Sequence, residues 1–220
     1  MKIYTYYDNI NFFNQKELIG LWEKSWNNNG FETIVLSKED AKKHEYYDEF
    51  VYELNRMHNT IKNKPLAEYG LSCYLRWLAY SNQNDELFYT SDYDVINLSL
   101  KPEQPIEDIH FMDRYCPCFV SGRPKYFEKF CRDIVSVTDT NIHILKKKSD
   151  SMYWYHDQEF LDQNKEYVHN NYSISMDYEN LWNSKIKHFS RHYVYSKITN
   201  RDETDKYRLI LIKEFLNENK

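Results

Sequence analysis

Asp92 and Asp94 flank a single tyrosine, two residues after the apolar run Leu87-Phe88-Tyr89 and directly before Val95-Ile96. Two carboxylates at this spacing beside a strand end can hold a divalent cation through hard oxygen ligands, leaving positions for waters and substrate phosphates. Such a cation suits transfer from a nucleoside diphosphate, because the departing diphosphate gathers negative charge as its bond breaks. The pair alone carries little, since a chain with 16 Asp in 220 residues produces about one Asp-x-Asp by chance. Its weight comes from the setting: a strand before it, apolar residues after it, and Arg76 on an upstream helix. The competing account is a polar turn with two solvated carboxylates.

The flanking elements must bring that pair to a sheet edge. Lys2 to Tyr7 is β-branched and aromatic and reads as a strand; Asn14 with Glu17 three residues on opens a helix whose stripe is Leu18, Leu21, Trp22 and Trp26. Gly30 ends that helix in left-handed geometry, Phe31 to Leu36 forms a second strand, and Ser37 with Asp40 starts another helix. This β-α-β-α opening predicts an α/β fold with a mostly parallel sheet. Charged helices at the surface are expected between Lys38 and Asn63, and a broad apolar helix from Leu66 to Leu78. Strands follow at Glu86 to Thr90, Val95 to Leu98 and around Ile109 to Met112, and then an apolar stretch at Cys118 to Val120 closed by Ser121-Gly122. Pro124 opens a helix running towards Val135, Lys146 to Asp150 makes a charged turn, Tyr153 to Phe160 is helical, and Tyr172 to Met176 is a strand. Ligands of open α/β sheets bind at the carboxyl edge, where Asp92 and Asp94 would stand.

Composition bounds the rest. At 220 residues with 41% hydrophobic and 17% aromatic content, the chain is expected to fold as one domain, 1–220. A net charge of −5 speaks against a nucleic-acid partner, which needs a basic surface. From Lys185 to Lys220 nine Lys/Arg stand against five acids, so this tail either helps to hold an anionic ligand or, beyond Thr199, is a solvated C-terminal helix over about 200–220. No run of ~18 apolar residues occurs and no signal-peptide core opens the chain, so a cytoplasmic protein without a transmembrane segment is expected. Cys73, Cys116, Cys118 and Cys131 lack the usual CxxC spacing and read as free thiols.

Leu75-Arg76-Trp77-Leu78-Ala79-Tyr80 followed by Leu87-Phe88-Tyr89-Thr90-Ser91-Asp92-Tyr93-Asp94-Val95 resembles the helix, strand and DxD of GT-A glycosyltransferases, including small ones encoded by large DNA viruses. Tyr155-His156-Asp157-Gln158-Glu159-Phe160 is similar to that family's Asp-Gln helix start, and Ile186-Lys187-His188-Phe189-Ser190 to its late His-Phe segment. The resemblance covers about residues 1–195 and implies a single Rossmann-like GT-A domain. Its nucleotide-binding half would be about 1–100 and its acceptor half about 101–195. It implies an enzyme that moves a sugar from a nucleotide-sugar, UDP-linked, to a glycan or glycoprotein acceptor.

Carried over by position, Asp94 is the direct ligand of Mn²⁺ or Mg²⁺, Asp92 the partner of ribose and metal, and His188 the residue completing the metal site. A plain core or surface histidine is the other reading of His188. Thr5 and Tyr7 stand where the nucleotide base would sit. Arg76 either reaches the diphosphate or holds the Asp-x-Asp turn, with a surface salt bridge as the alternative, and Arg191 is a further phosphate candidate. Asp157 is the catalytic candidate, as base in an inverting enzyme or as binder of sugar hydroxyls in a retaining one; a helix cap is its alternative. Two other functions compete. A sugar nucleotidyltransferase would carry a Gly-rich basic loop after the first strand, where Tyr6-Tyr7-Asp8-Asn9-Ile10-Asn11 has neither Gly nor Lys. A non-catalytic sugar- or nucleotide-binding module would keep the fold without turnover.

Overall fold

The structure, a computed structural model, describes residues 1–9, 15–103, 109–111, 117–149, 157, 160–161, 185–190, 194 and 203–218. Its strands are β1 (Lys2–Tyr6), β2 (Glu32–Leu36), β3 (Phe88–Ser91), β4 (Val95–Asn97), β5 (His110–Phe111), β6 (Phe119–Gly122) and β7 (Ile186–His188). The helices are α1 (Gln15–Asn27), α2 (Lys38–Lys42), α3 (Tyr47–Lys62), α4 (Glu68–Ser81), α5 (Pro124–Ser149) and α6 (Thr204–Glu218).

The main sheet has the order β2-β1-β3-β6-β5. β1 pairs parallel with β2 and β3, while β6 pairs antiparallel with β3 and β5, so β6 alone runs against the other strands. Alternation along β1 splits the core in two. Ile3 joins Trp22, Trp26, Phe31 and Phe119 on the α1 face, whereas Tyr4 and Tyr6 join Trp77, Tyr80 and Phe127 on the face covered by α3, α4 and α5. The chain thus leaves β1 for β2 across one face and returns to β3 across the other. The carboxyl ends of β1 and β3 therefore border the point where the winding reverses, the position at which such sheets leave a crevice. A separate antiparallel pair, β4 with β7, packs through Ile96 and Phe189 onto Leu18 of α1 and Leu209, Ile212 and Phe215 of α6.

The sequence-predicted strand–helix–strand opening is present. Gly30 has φ +92°, the left-handed conformation expected at its helix end. Asp40 accepts hydrogen bonds from the Ser37 backbone N–H at 2.9 Å and from its hydroxyl at 3.0 Å, closing the start of α2. Three expectations change. α3 is not merely a surface helix, because Phe50, Leu54, Met57 and Ile61 form a buried stripe beneath its charged face. The charged turn expected from Lys146 is instead helical as far as Ser149, the last residue of α5. The C-terminal helix is not a solvated one: it buries Arg208, Leu209, Ile212 and Phe215. The strand expected at 172–176 lies outside the described residues, as does the helix at 153–160 apart from Asp157 and Phe160. No helix among the described residues is long and apolar enough to cross a membrane. Cys73, Cys118 and Cys131 are free thiols, as expected; Cys116 lies outside the described residues.

His58, 2% exposed on the buried face of α3, gives a first test of this packing. Its Nδ1 lies 2.9 Å from the Lys64 carbonyl, which can only accept, so Nδ1 carries a proton. Burial lowers its pKa from the ordinary value of 6.5, against the pull of that carbonyl. Burial likewise lowers His44, against Glu128. A histidine whose folded pKa is depressed stabilises the fold above the unfolded pKa, and that stability drains away as pH falls from about 6.5 through the folded value. Urea midpoints at pH 7.5 and 5.5 will therefore differ in that direction, and His58→Asn will narrow the gap. An equal gap in the variant would remove His58 from this account.

Candidate metal centre

Three buried tryptophans build the floor of the site. An indole N–H taken into a core needs an acceptor. Trp22 Nε1 donates to Ser91 Oγ at 2.7 Å and Trp26 Nε1 to the Val95 carbonyl at 3.0 Å, so α1 grips the chain on both sides of Asp92-Tyr93-Asp94. Within that bracket Asp92 N donates to the Cys118 carbonyl at 2.9 Å, and Val95 N returns to the Asp92 carbonyl at 3.0 Å, closing a four-residue turn. The turn follows β3 at its carboxyl end, as the sequence predicts.

β7 adds the histidine. His188 stands opposite Val95 in the antiparallel register, and Phe189 N donates to the Asp94 carbonyl at 2.9 Å. Alternation sends His188 to the turn and Lys187 the other way, where its ammonium lies 4.8 Å from the Phe189 ring centre and 4.5 Å from that of Phe215. One ligand atom each from Asp92, Asp94 and His188 lies within 4.8 Å of the other two. His188 and Asp94 are 7% and 8% exposed, which sets aside the surface reading of the histidine.

Two arginines complete the constellation. Arg76 on α4 donates from Nη1 to Asp92 Oδ1 at 2.7 Å and from Nη2 to Asp157 Oδ2 at 2.6 Å. Trp77 Nε1 donates to that same Asp157 oxygen at 2.8 Å. Of the roles foreseen for Arg76, holding the Asp-x-Asp turn is the one observed, and its side chain, 13% exposed, is half-buried rather than part of a surface pair. Asp157, 3% exposed, is thereby linked to Asp92 through one guanidinium. Arg208 on α6 donates from Nη1 to Asp94 Oδ2 at 2.9 Å, and Nη2 lies 3.2 Å from Asp205 Oδ1. Arg208 escaped the sequence reading because α6 looks like a solvated charged helix. A signal was available: Thr204, Arg208, Ile212 and Phe215 share one apolar stripe, and a charge inside such a stripe wants a buried partner.

The electrostatics separate the two carboxylates. Burial raises the Asp92 carboxyl above its ordinary range; Arg76 pulls it back and Asp94 adds to the rise. Burial works the same way on Asp94, but His188 and Arg208 outweigh it and hold that carboxyl below its usual range. Arg76 and Arg208 feel burial as a downward pull, and their carboxylate partners overcome it, so both stay charged. Burial also pushes the neighbouring Cys73 thiol up to about 12, which keeps it protonated and unreactive beside the site.

The donor set fits a divalent cation. Two carboxylates and an imidazole suit Mn²⁺, and Asp94 Oδ1 is a buried oxygen with no hydrogen-bond partner among the described residues, paired with His188 Nε2 at 3.3 Å. The nominated base-binding residues are less well placed. Thr5 is fully buried on the α1 face of the sheet, and Tyr7, beyond the end of β1, donates its hydroxyl to Asn9 Oδ1 at 3.0 Å. Arg191 lies outside the described residues. Comparison of the chain with protein-family models and with curated proteins finds no match.

Proposed function

We propose that this chain is a metal-dependent glycosyltransferase that moves a sugar from a UDP-linked donor to an acceptor hydroxyl on a glycan or glycoprotein. The observation that carries the reading is the meeting of Asp92, Asp94 and His188 at the carboxyl edge of the sheet, from segments nearly a hundred residues apart. Asp92, Asp94 and His188 would hold Mn²⁺ or Mg²⁺, whose charge offsets that of the departing diphosphate. The chain's own contribution is preorganisation. Trp22 and Trp26 fix both ends of the turn, Arg76 fixes the Asp92 carboxylate, and Asp157 fixes Arg76, so the ligands need little reorganisation when a donor arrives. With both terminal nitrogens of Arg76 engaged by carboxylates, that residue acts on the donor through Asp92.

A panel of nucleotide-sugars incubated with the protein, with and without Mn²⁺, tests the reading without knowledge of the acceptor. Slow release of the nucleoside diphosphate is expected from one donor, only with the cation. Mn²⁺ with UDP should also raise the melting temperature, by roughly 5–10 °C at hundredfold excess over Kd, since such a ligand adds about 2.7 kcal/mol to the folded state. A thermal shift without hydrolysis of any donor would favour a binding module. No shift and no hydrolysis would defeat the proposal.

A further inference from the structure

Arg208 lies 114 residues beyond Asp94 in the chain and is 4% exposed, yet its guanidinium ends on a carboxylate of the candidate centre. It cannot swing freely. Asp205, one turn earlier on α6, holds Nη2 at 3.2 Å, and the Tyr93 ring centre stands 5.9 Å from the guanidinium carbon. A forked, permanently charged donor suits two carboxylates at once, which a lysine would not.

The consequence falls on the two oxygens of Asp94. Oδ2 faces a full positive charge at 2.9 Å, while Oδ1 faces His188 Nε2 at 3.3 Å and has no hydrogen-bond partner among the described residues. A cation seated across both oxygens would have to approach that guanidinium against like-charge repulsion. Asp92 is treated the same way, with Oδ1 taken by Arg76 at 2.7 Å. Each carboxylate therefore keeps one oxygen clear of an arginine, that of Asp94 facing the imidazole of His188. Ca²⁺ gathers six to eight ligands and gains from carboxylates that give both oxygens, whereas a smaller octahedral ion is satisfied by single oxygens and waters.

We infer that Arg208 is a positioning residue that restricts Asp94 to one metal-binding oxygen and so makes the centre select a Mn²⁺-sized ion over Ca²⁺. This rests on Asp92, Asp94 and His188 forming the cation site described above. The imidazole also favours Mn²⁺ over Ca²⁺, but it does so equally in every Arg208 variant, so a change in the ratio isolates the guanidinium.

The test uses the full chain and the metals alone: Mn²⁺ binding by the loss of its aqueous spin-resonance signal, and Ca²⁺ by competition. The wild type should prefer Mn²⁺ strongly. Arg208→Met, which removes charge and donors but keeps a straight buried side chain, should shrink the Mn²⁺/Ca²⁺ affinity ratio by about tenfold or more. Arg208→Lys, which keeps a positive charge on Oδ2, should retain most of it. If Arg208→Met does not fold, Asp205→Asn, which loosens one arm of the fork, decides the question by a smaller shift in the same direction. An unchanged ratio in the variant that folds overturns the inference while leaving the metal centre standing. Failure of the wild type to bind either ion would bring down the metal centre itself, and this inference with it.

Discussion

If the chain turns over a nucleotide-sugar as proposed, Asp94→Asn will leave a folded protein whose Mn²⁺-dependent donor turnover falls by about 10²–10³-fold, the scale on which one preorganised electrostatic contact acts. The amide has one acceptor oxygen, and Arg208 Nη1, now 2.9 Å from Oδ2, will claim it. That turns the amide nitrogen into the place of Oδ1, where its N–H can donate to His188 Nε2, now 3.3 Å away. The pocket stays satisfied, but a donor group occupies the position that must offer a lone pair to the cation. Alanine, the substitution a sequence reading would choose, is the poorer test: it leaves the Arg208 guanidinium buried without Asp94, at a cost of about 3–5 kcal/mol, and confuses lost folding with lost chemistry. Calorimetry with Mn²⁺, a thermal melt and a turnover assay on the same preparation separate the two effects. Wild-type metal affinity in a folded Asp94→Asn protein would remove Asp94 from the ligand set.

The parts of this site readable from sequence were those whose signal is local. The Asp pair after an apolar strand, the cap of Ser37 and Asp40, and the β-branched and aromatic run of β1 each depend on residues within a few positions of one another. His188 depends on the pairing of β4 with β7, which brings Val95 opposite it and is invisible to local pattern; only the resemblance pointed there. Arg208 depends on how α6 packs, and its neighbours Lys206, Lys213 and Glu214 hid the one buried charge among solvated ones. The helix stripe of α4 foretold that Trp77 would be buried, but not that its N–H and Arg76 would converge on Asp157 from the same helix. Buried polar partners are chosen by tertiary geometry, so the sequence shows the demand and not the donor that meets it.

That convergence makes Arg76 the residue whose loss should be felt most widely. Arg76→Met takes a guanidinium away from Asp157, which is 3% exposed, while Trp77 Nε1 still donates to Oδ2. Removing one partner of a buried ion pair costs about 3–5 kcal/mol, or roughly 6–20 °C of melting temperature at the scale of a chain this long. Asp92 suffers less in stability, because its side chain is 32% exposed and can rehydrate, but it loses the contact that orients Oδ1. Removing such an outer support costs about 10–100-fold in metal affinity or activity. The two effects can be pulled apart with Arg76→Met combined with Asp157→Asn, since the amide needs no counter-charge and still accepts from Trp77. The double variant should regain more than half of the lost melting temperature while its metal-dependent turnover stays low, because Asp92 is still without its guanidinium. Recovery of both together would mean that Arg76 serves only to neutralise Asp157, and that the Asp92 carboxylate keeps its orientation without help from α4.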